Sequence, residues 1–330
     1  MSLVSVVLPL HNAEGYLDRA ISQLEALDAS IPYEFIVIDD HSTDGTAARV
    51  KQWVDSSSSR VTIHHATGAG VANARNEAMR LCSGEFVWFV DADDSWDSRI
   101  VTEMAAAIGS ADIAACNARK VNDTGDEVGL IDDAPRLESI SGEEAFLRML
   151  EGTLQGHLWN KLFRRESLPF DMFPSTRAHS DMGALLALLP RLASVQLVPA
   201  SLYAYALHAG SILNSRKYNW DDLERCYEIA AAGAATLHDA GRTRRALVSF
   251  KYRNVVIPTA NEIARRRTHY DSSEARRLRR RNRDRMSFSE VFELRGSTGS
   301  MARSVLLAAS PTLYDLAYRA TKSRRWTAIV

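Results

Sequence analysis

The sequence predicts an α/β fold with a mostly parallel sheet, followed by an all-α carboxy-terminal region. First, short apolar runs in the amino-terminal part each end in polar residues and lead into a segment with helical spacing, as in strand-helix units. Second, segments with helical spacing dominate the chain after about residue 215. Third, 330 residues with 46% hydrophobic content are enough for one large core and a smaller appendage.

Strands and helices are predicted to alternate over the first 95 residues. The runs at residues 4–10 and 86–90 are apolar on both faces, which is typical of interior strands covered by helices. In chain order, we predict strands over residues 4–10, 33–40, 61–65 and 86–90, and helices over residues 13–27, 46–54 and 68–81. A glycine-containing segment opens the third helix, and Asp44 is expected to cap the second.

The run FVWFVDADD, residues 86–94, places three carboxylates directly after a buried strand. Ligands of open α/β sheets bind at the carboxyl ends of strands, so Asp91, Asp93 and Asp94 should lie at a ligand site. Their mutual repulsion favours a cation, and Mg²⁺ or Mn²⁺ bound with a diphosphate fits this chemistry. The alternative is an ordinary Asp-rich turn that only caps the next helix.

Charge is distributed unevenly along the chain, although the net charge is only −1. Residues 1–241 carry 19 basic and 34 acidic groups, whereas residues 242–330 carry 21 basic and 7 acidic groups. Three scattered cysteines with no CxxC spacing favour neither a disulfide framework nor a zinc site, and they suit a reducing cytoplasm. The sequence shows no cleavable signal and no apolar run of about 18 residues, so we expect a soluble or peripheral protein.

The phosphate-binding motifs of common nucleotide sites are absent. The first strand-helix turn, PLHNAEG, lacks G-x-G-x-x-G, and no GxxxxGK[ST] loop occurs. Metal and cationic side chains are therefore expected to neutralise a bound diphosphate.

Three segments carry a resemblance to a known family: SVVLPLHNAEGYL, FIVIDDHSTDGT and GVANARNEAMRLCSGEFVWFVDADD. In this order and spacing they resemble the amino-terminal half of family 2 glycosyltransferases, which have the GT-A fold. Weaker similarity continues through GHLWNKLFRRESL, SDMGALLALL and YAYALHAGSIL. The resemblance implies a nucleotide-diphospho-sugar transferase that uses a UDP-sugar donor and inverts the anomeric carbon. In its size and its basic carboxy-terminal region, the chain resembles bacterial enzymes that glycosylate wall polymers such as teichoic acids.

The resemblance also assigns nucleotide-binding residues. Pro9 and Asn12 are expected to line the base pocket, and the Asp40 carboxylate is expected to accept from the uracil imide N–H. Asn73 and Arg75 are expected beside the nucleotide and its phosphates. The remaining assignments are Asp91 near the ribose, Asp93 as a direct metal ligand, Asp94 as a residue that orients this shell and Asp39 as a structural neighbour of Asp40.

Asp181 is the candidate general base, because in this family an Asp that opens a helix well after the DxD motif takes the acceptor proton. Relatives usually have Glu-Asp here, whereas Ser180 precedes the Asp in this chain. The alternative is that Asp181 only caps its helix.

Three further residues come from the later similar segments. Relatives place a tryptophan and a lysine near the donor sugar and acceptor, which implicates Trp159 and Lys161. Core packing is the equal alternative for Trp159. His208 is expected as a metal or diphosphate contact, and the alternative for it is a structural histidine.

The carboxy-terminal region is predicted to contain helices over residues 220–237, 244–267, 275–286 and 304–321, with Pro258 interrupting the second. Its positive charge would attract an anionic polymer acceptor, anionic lipid head groups, or the acidic domain of a second subunit. No nucleic-acid-binding motif accompanies the charge, so nucleic acid is not an expected partner. We expect a homo-oligomer formed through this region, because the amphipathic last helix and the apolar end of the chain need a cover. The alternatives are that the last helix packs on the protein's own core or lies at a membrane interface.

These observations give two domains, a GT-A catalytic domain over residues 1–215 and a helical, Arg-rich region over residues 216–330. The expected function is an inverting, metal-dependent hexosyl- or N-acetylhexosaminyl-transferase, acting from the cytoplasm on a hydroxyl of a cell-surface glycan or wall polymer. Peripheral association with the inner face of the membrane is a further expectation. The alternative is a binding protein on a decayed transferase scaffold, which the intact DAD and Asp181 disfavour.

Overall fold

The computed structural model describes residues 2–207, 220–265, 272–294 and 298–322. It contains two compact units, Met1–Arg216 and Lys217–Val330. In the described ranges, no helix combines the length and the apolar character needed to cross a membrane.

The first unit is built on one ten-stranded mixed sheet. The strands are β1 Val4–Leu10, β2 Tyr33–Asp39, β3 Arg60–His65, β4 Phe86–Phe89, β5 Ser95–Trp96, β6 Ile113–Val121, β7 Glu127–Ile131, β8 Glu138–Ser141, β9 Lys161–Arg164 and β10 Ser194–Ala206. The helices are α1 Glu14–Glu25, α2 Thr46–Ser56, α3 Val71–Leu81, α4 Ile100–Ile108, α5 Gly142–Glu151 and α6 Ser180–Leu188, with short 3₁₀ turns at Arg165–Ser167 and Leu189–Arg191.

The sheet has the order β3-β2-β1-β4-β9-β6-β10-β5, with β7 on β6 and β8 on β10. The first four strands are parallel, β9 lies antiparallel between β4 and β6, and β6 and β10 are again parallel. The predicted α/β class is confirmed. The antiparallel strands after residue 95 follow from tertiary pairing, which local apolar patterns do not predict.

Burial explains the amino-terminal elements. Every residue of β4 is buried, and Trp88 is fully enclosed, as its lack of alternation predicts. Leu17, Ala20 and Leu24 are the buried stripe of α1, at the three- and four-residue spacing of a helix. Helix α3 begins at Val71 and not at residue 68, because residues 68–70 form a loop whose final amide is bonded to Asp40.

The second unit is helical. Its elements are α7 Trp220–Ala234, α8 Ala240–Lys251, a π-helical turn Tyr252–Val256, α9 Ile257–Arg265, α10 Ser272–Asp284, α11 Phe288–Glu293, α12 Thr298–Ala309 and α13 Pro311–Lys322. The π turn ends two residues before Pro258, whose missing N–H and bulky ring disturb the preceding turn. The single helix predicted over residues 304–321 is wrong: Pro311 is the first residue of a separate helix, α13, which follows a break at Ser310.

Candidate active site

The carboxyl ends of β1, β2 and β4 form the expected ligand edge of the sheet. Leu10 is paired with Asp39 in the β1–β2 ladder, so the turns after both strands begin at the same level. Asn12, Asp40 and Asp91 follow these strands, and α3 begins beside them at Gly70. The topology thus gathers the predicted nucleotide residues along one edge.

Asp40 is held in place by a main-chain amide. Its two carboxylate oxygens lie 3.0 and 2.9 Å from the Gly70 nitrogen, and Asp40 is only 8% exposed. Gly70 has φ +102°, a conformation that favours glycine. A carboxylate has about four lone-pair sites, so this contact leaves acceptor capacity for the predicted uracil N–H.

Asn12 fixes the turn after β1. Its Oδ1 accepts from Thr43 N at 2.8 Å and from Thr43 Oγ1 at 3.2 Å. The main-chain N–H of Asn12 donates to Ser42 Oγ at 3.0 Å. Asn12 has φ +49°, and this side chain tolerates the left-handed region better than most. Pro9 lies within β1, paired with Ile38 of β2, and is half-buried.

Two acidic residues predicted to be structural make structural contacts. Asp39 accepts from Ser42 N at 3.2 Å, which closes the turn after β2. Asp44 accepts from Thr46 N at 3.0 Å and from Thr46 Oγ1 at 2.6 Å. The Thr46 hydroxyl and amide lower the pKa of Asp44, as expected for a carboxylate at the start of α2.

Glu77, which was not among the predicted site residues, organises the loop before α3. Its carboxylate accepts from Thr67 N, Thr67 Oγ1, Asn73 Nδ2 and His64 Nε2, at distances between 2.6 and 3.1 Å. Burial opposes its ionisation, yet these hydrogen bonds lower its pKa to about 2. Asn73 also donates to Gly68 O at 2.8 Å, so its amide supports this loop. The four-residue spacing of Asn73 and Glu77 on one helix face was the available signal.

Arg75 is buried against the DAD turn. Its Nη2 donates to Asp91 Oδ1 at 3.1 Å, and its guanidinium lies 5.8 Å from the centre of the Phe173 ring. The buried Nε of Arg75 has no hydrogen-bond partner in the described part of the chain. A buried donor without an acceptor fits a cleft that receives an anionic ligand.

Negative charge accumulates at the floor of this cleft. Burial raises the pKa of Asp91, with the charges of Asp93 and Asp181 acting in the same direction and Arg75 opposing them. The Asp91 side chain nevertheless keeps 34% of its surface exposed, as expected for a group that lies deep in the protein but opens into a cleft. The three carboxylates are therefore close enough to interact electrostatically.

Asp94 ties the DAD turn to β10. It is 1% exposed and accepts from Tyr203 Oη at 2.8 Å and from Ala206 N at 2.7 Å. Burial raises its pKa well above the usual range, and Asp91 and Asp93 raise it further. The main-chain oxygen of Asp93 accepts from Arg19 Nη2 at 2.5 Å, which fixes the other side of the turn.

The described residues contain no group of three or more His, Cys, Asp or Glu side chains arranged to hold a metal. Asp91 and Asp93 still fit a hard divalent cation, because their mutual charge disfavours ionisation of Asp91. Mg²⁺ is typically held by one or two carboxylates with waters and substrate phosphates. His208, the other predicted metal contact, lies outside the described residues.

Asp181 lies in the first turn of α6. His179 precedes the helix with φ +61°, and the first intrahelical bond runs from Gly183 N to His179 O at 3.0 Å. Asp181 Oδ1 accepts from Met182 N at 2.8 Å, a contact in keeping with the capping alternative. Its charge also reaches Asp91, His157 and Lys161, so the helix start faces the cleft and not only its own backbone.

Trp159 belongs to a buried aromatic stack. It is 4% exposed, and its ring lies 4.4 Å from Tyr203, 5.5 Å from Tyr205 and 4.6 Å from His157, each at an interplanar angle below 20°. This is the packing alternative given for Trp159. The more exposed rings of the stack are those of His157 and Tyr205.

Lys161 is enclosed within the protein, at 1% exposure. Its Nζ donates to Asp133 Oδ2 at 3.3 Å, to Gln155 O at 3.0 Å and to Asn160 Oδ1 at 2.9 Å. An ammonium group has three donors, so these acceptors occupy all of them. Asp133, which the sequence did not indicate as a site residue, is 2% exposed.

A model of the family described as glycosyl transferase family 2 matches residues 5–169, half of the chain. The chain belongs to glycosyl transferase family 2. The family predicted from the three amino-terminal segments is thereby confirmed.

Individual relatives share part of the chain. EpsH of Bacillus subtilis (strain 168) is 27% identical over 229 residues, which are 64% of this chain and 62% of EpsH. The poly(ribitol-phosphate) β-N-acetylglucosaminyltransferase TarS of Staphylococcus aureus (strain Mu50) is 30% identical over 128 residues, 38% of this chain and 22% of TarS. The chain thus spans less than two thirds of the length of either relative.

The fold of this family 2 member is also seen in a solved structure. Residues 1–349 of S. aureus TarS, crystallised with UDP-GlcNAc, superpose with a TM-score of 0.73 over 99% of this chain and 93% of that chain. The two sequences are 17% identical in this superposition, so the likeness concerns the fold, and it confirms the predicted GT-A architecture.

Proposed function

We propose that this chain is an inverting, metal-dependent glycosyltransferase that moves a sugar from a UDP-sugar to a hydroxyl of a cell-surface glycan or wall polymer. The observation that carries the proposal is the convergence of charge in one cleft, where Asp93 and Asp181 both raise the pKa of Asp91 while Arg75 pairs with it. Cation, diphosphate and general base are the three components that such a transfer needs.

The nucleotide end of the cleft is assigned to the turns after β1 and β2. Asp40 is already oriented by Gly70 and keeps acceptor capacity for a uracil N–H. Pro9 and Asn12 line the same edge. Asn73 acts here through the loop that it holds together, since its amide donates to Gly68 and Glu77.

The diphosphate end is assigned to Arg75 and the DAD turn. Arg75 pairs with Asp91 and keeps a buried Nε donor, which suits an anionic ligand. Asp93, with Asp91, would hold Mg²⁺ or Mn²⁺, and the cation would neutralise charge on the departing diphosphate. Asp94 orients the turn through Tyr203 and Ala206.

Asp181 is assigned as the general base. Its carboxylate takes the proton of the acceptor hydroxyl while that oxygen forms a bond to the anomeric carbon. The bond from the anomeric carbon to the diphosphate oxygen breaks at the same time, and UDP leaves with the electron pair. Attack from the face opposite the leaving group inverts the configuration of this carbon.

An anionic polymer is the acceptor class that the chain favours. The region after residue 241 carries 21 basic and 7 acidic groups. The similar enzyme TarS is named for poly(ribitol-phosphate), which is an anionic polymer. Such a region attracts a polyanion, and it suits a cytoplasmic enzyme that also meets anionic lipid head groups. The transferred sugar is a hexose or an N-acetylhexosamine.

The test is a donor panel. Purified protein with Mn²⁺ or Mg²⁺ is incubated with a series of nucleotide sugars, with and without a poly(polyol-phosphate) acceptor, and UDP release is measured. We expect release from one UDP-sugar, stimulated by acceptor and abolished by excess chelator. Absence of release from every donor, together with tight UDP binding, would instead favour a non-catalytic binding protein.

A further inference from the structure

A buried polar cluster beneath the cleft has no role in the chemistry assigned so far. It consists of Asp133, Gln155, Asn160 and Lys161, which come from three separate segments of the first unit. Asp133, Asn160 and Lys161 are each 2% exposed or less. Burying an ion pair costs desolvation, and removing one partner alone would leave an uncompensated buried charge.

The cluster holds both main-chain groups of Gln155. The Gln155 amide donates to Asp133 Oδ1 at 2.8 Å, and the Gln155 carbonyl accepts from Lys161 Nζ at 3.0 Å. Asn160 connects the two charged residues, because its Nδ2 donates to Asp133 Oδ2 at 2.9 Å and its Oδ1 accepts from Lys161. The backbone at residue 155 is therefore gripped from two sides.

The cluster is anchored on the sheet. Asn160 Nδ2 donates to Cys116 O at 2.7 Å, and Cys116 N donates back to Asn160 O at 2.9 Å. Asn117 makes a similar pair with Ala134, the residue after Asp133, at 3.0 and 2.8 Å. Cys116 and Asn117 both belong to β6, so the cluster that holds Gln155 is itself fixed to a strand of the sheet.

The next residue, Gly156, lies against the helix that carries Asp181. A Cβ built on Gly156 would come within 3.1 Å of the Met182 Cα and 3.0 Å of its Cβ, and within 2.9 Å of Met149 Cε, the flexible end of a side chain from α5. Any side chain at residue 156 would press on the first turn of α6. Asp181 precedes Met182 directly, so the position of Gly156 limits where the Asp181 carboxylate can be.

We propose that Asp133, Asn160 and Lys161 form a buried clamp that holds Gln155 and Gly156 against the first turn of α6 and thereby positions the Asp181 carboxylate. Lys161 is then a positioning residue and not a ligand of the donor sugar. The proposal rests on the assignment of Asp181 as the base. A displacement of about 1 Å at a reacting group can cost a hundredfold in rate, which is why such a clamp is worth its desolvation.

Electrostatics agree with this geometry. Burial lowers the pKa of Lys161, while Asp133 and, more weakly, Asp181 raise it. Burial lowers the pKa of His157, the residue after Gly156, and the Asp181 charge opposes that effect. The clamp and the helix start therefore lie within electrostatic range of each other.

Two variants test the clamp. Lys161→Met with Asp133→Asn removes both charges together, so that neither is left buried and unpaired. Gly156→Ala leaves the cluster intact and presses on Met182. The controls are Lys251→Met with Glu290→Gln, which removes an ion pair of the second unit, and Gly299→Ala, where a Cβ would meet nothing within 4 Å.

We expect both clamp variants to fold and to bind UDP within about twofold of the wild type, while kcat falls at least about tenfold, and we expect the controls to keep kcat. Hydrogen exchange should quicken at residues 180–185 but not at residues 71–81. Normal kcat with normal exchange in the folded variants would overturn the proposal. A loss of affinity for UDP or for the intact UDP-sugar that matches the loss of kcat would also overturn it, because the cluster would then act on donor binding.

The kinetic measurement and the hydrogen-exchange measurement separate this inference from the proposed function. A wild-type protein without turnover contradicts the transferase assignment, whereas the exchange of residues 180–185 reports on the clamp without any turnover. If the wild type shows no turnover and exchange at residues 180–185 is the same in the clamp variants as in the wild type, the clamp is overturned as well.

Discussion

Arg75 Nη2 lies 3.1 Å from Asp91 Oδ1, and this pair is the point where the predicted nucleotide edge meets the predicted metal site. Arg75 is 7% exposed and offsets one carboxylate charge, yet Asp93 and Asp181 still raise the pKa of Asp91. The single positive charge of Arg75 therefore does not balance the negative charges of the carboxylates near it. A second cation and an anionic ligand would complete the site.

Asp93→Ala should abolish metal-dependent turnover and leave the fold intact. We expect kcat to fall at least about a hundredfold, because a bound metal stabilises the charge that develops on the departing diphosphate by several kcal/mol. The variant should melt no lower than the wild type in chelator, since the Asp93 charge raises the pKa of Asp91 and Asp94 and its removal relieves that repulsion. UDP release and thermal melting with and without Mn²⁺ are the measurements.

Asp55→Ala is the matched control, because Asp55 is an exposed carboxylate at the end of α2. It should keep both turnover and the stabilisation by Mn²⁺. Full activity of the wild type in excess chelator would remove the DAD turn from the mechanism.

The sequence predicted β1, β2 and β4 well because these strands are almost entirely buried. The β1 bounds, Val4–Leu10, are those expected from the apolar run alone, and β2 and β4 differ by one residue at one end. An apolar run that stops in polar residues leaves little freedom for the ends of a strand. Helix ends depend on side-chain contacts across the fold, which is why α3 begins three residues later than expected.

The clamp could not be predicted for a physical reason. Lys161 meets Asp133 across 28 residues, and no local periodicity connects a residue of β9 with a loop after β7. The resemblance to known transferases indicated that Trp159 and Lys161 matter, but it could not show that both are buried. Pro311 was visible in the sequence, and the apolar spacing across it led to a prediction of one helix where there are two.

Asp181→Asn should bind UDP almost normally and lose at least about a hundredfold in kcat, which is the scale of general-base removal. The amide keeps an acceptor for Met182 N, so the first turn of α6 should persist. Titration of UDP binding and initial rates at saturating donor separate the two effects.

Asp239→Asn controls for a capping effect, because Asp239 accepts from Arg242 N at 3.0 Å at the start of α8. It should change stability slightly and turnover not at all. Wild-type turnover in Asp181→Asn would move the base to another acid near the acceptor.

Glu77→Gln should loosen the loop that carries Gly70 to Asp40. The carboxylate makes five hydrogen bonds, so we expect a loss on the order of 2 kcal/mol at pH 7 and a weaker affinity for UDP. The Glu77 pKa falls from 4.5 to about 2 on folding, so its contribution is present above pH 4.5 and disappears as the pH falls towards 2.

The measurement is urea unfolding at several pH values. The difference between wild type and Glu77→Gln should be constant above about pH 5 and should shrink below pH 4.5. Glu127→Gln, an exposed position at the start of β7, should show no such difference. An effect of Glu77→Gln that is the same at pH 3 and pH 7 would contradict the loop-anchoring role.

The predicted homo-oligomer is tested at the helices that end the described chain. Val305 of α12 and Leu313 and Leu316 of α13 are 51 to 56% exposed, whereas Leu307 and Tyr314 of the same helices belong to a buried core cluster. Deleting residues 301–330 should dissociate the oligomer, but it also removes these core residues. Point substitutions on the exposed face are therefore the sharper test.

Val305→Glu with Leu313→Glu should convert an oligomer into a monomer without unfolding it, because burying two carboxylates at an interface costs far more than leaving them in water. Light scattering of the wild type, this double variant and Ala232→Glu, an exposed position on α7, measures the mass at low and moderate salt. If the acidic first unit meets the basic helices of a second subunit, salt should weaken association as well. A wild type that is monomeric at both salt concentrations ends the idea, and co-sedimentation with anionic vesicles would then test whether the exposed apolar face meets a membrane.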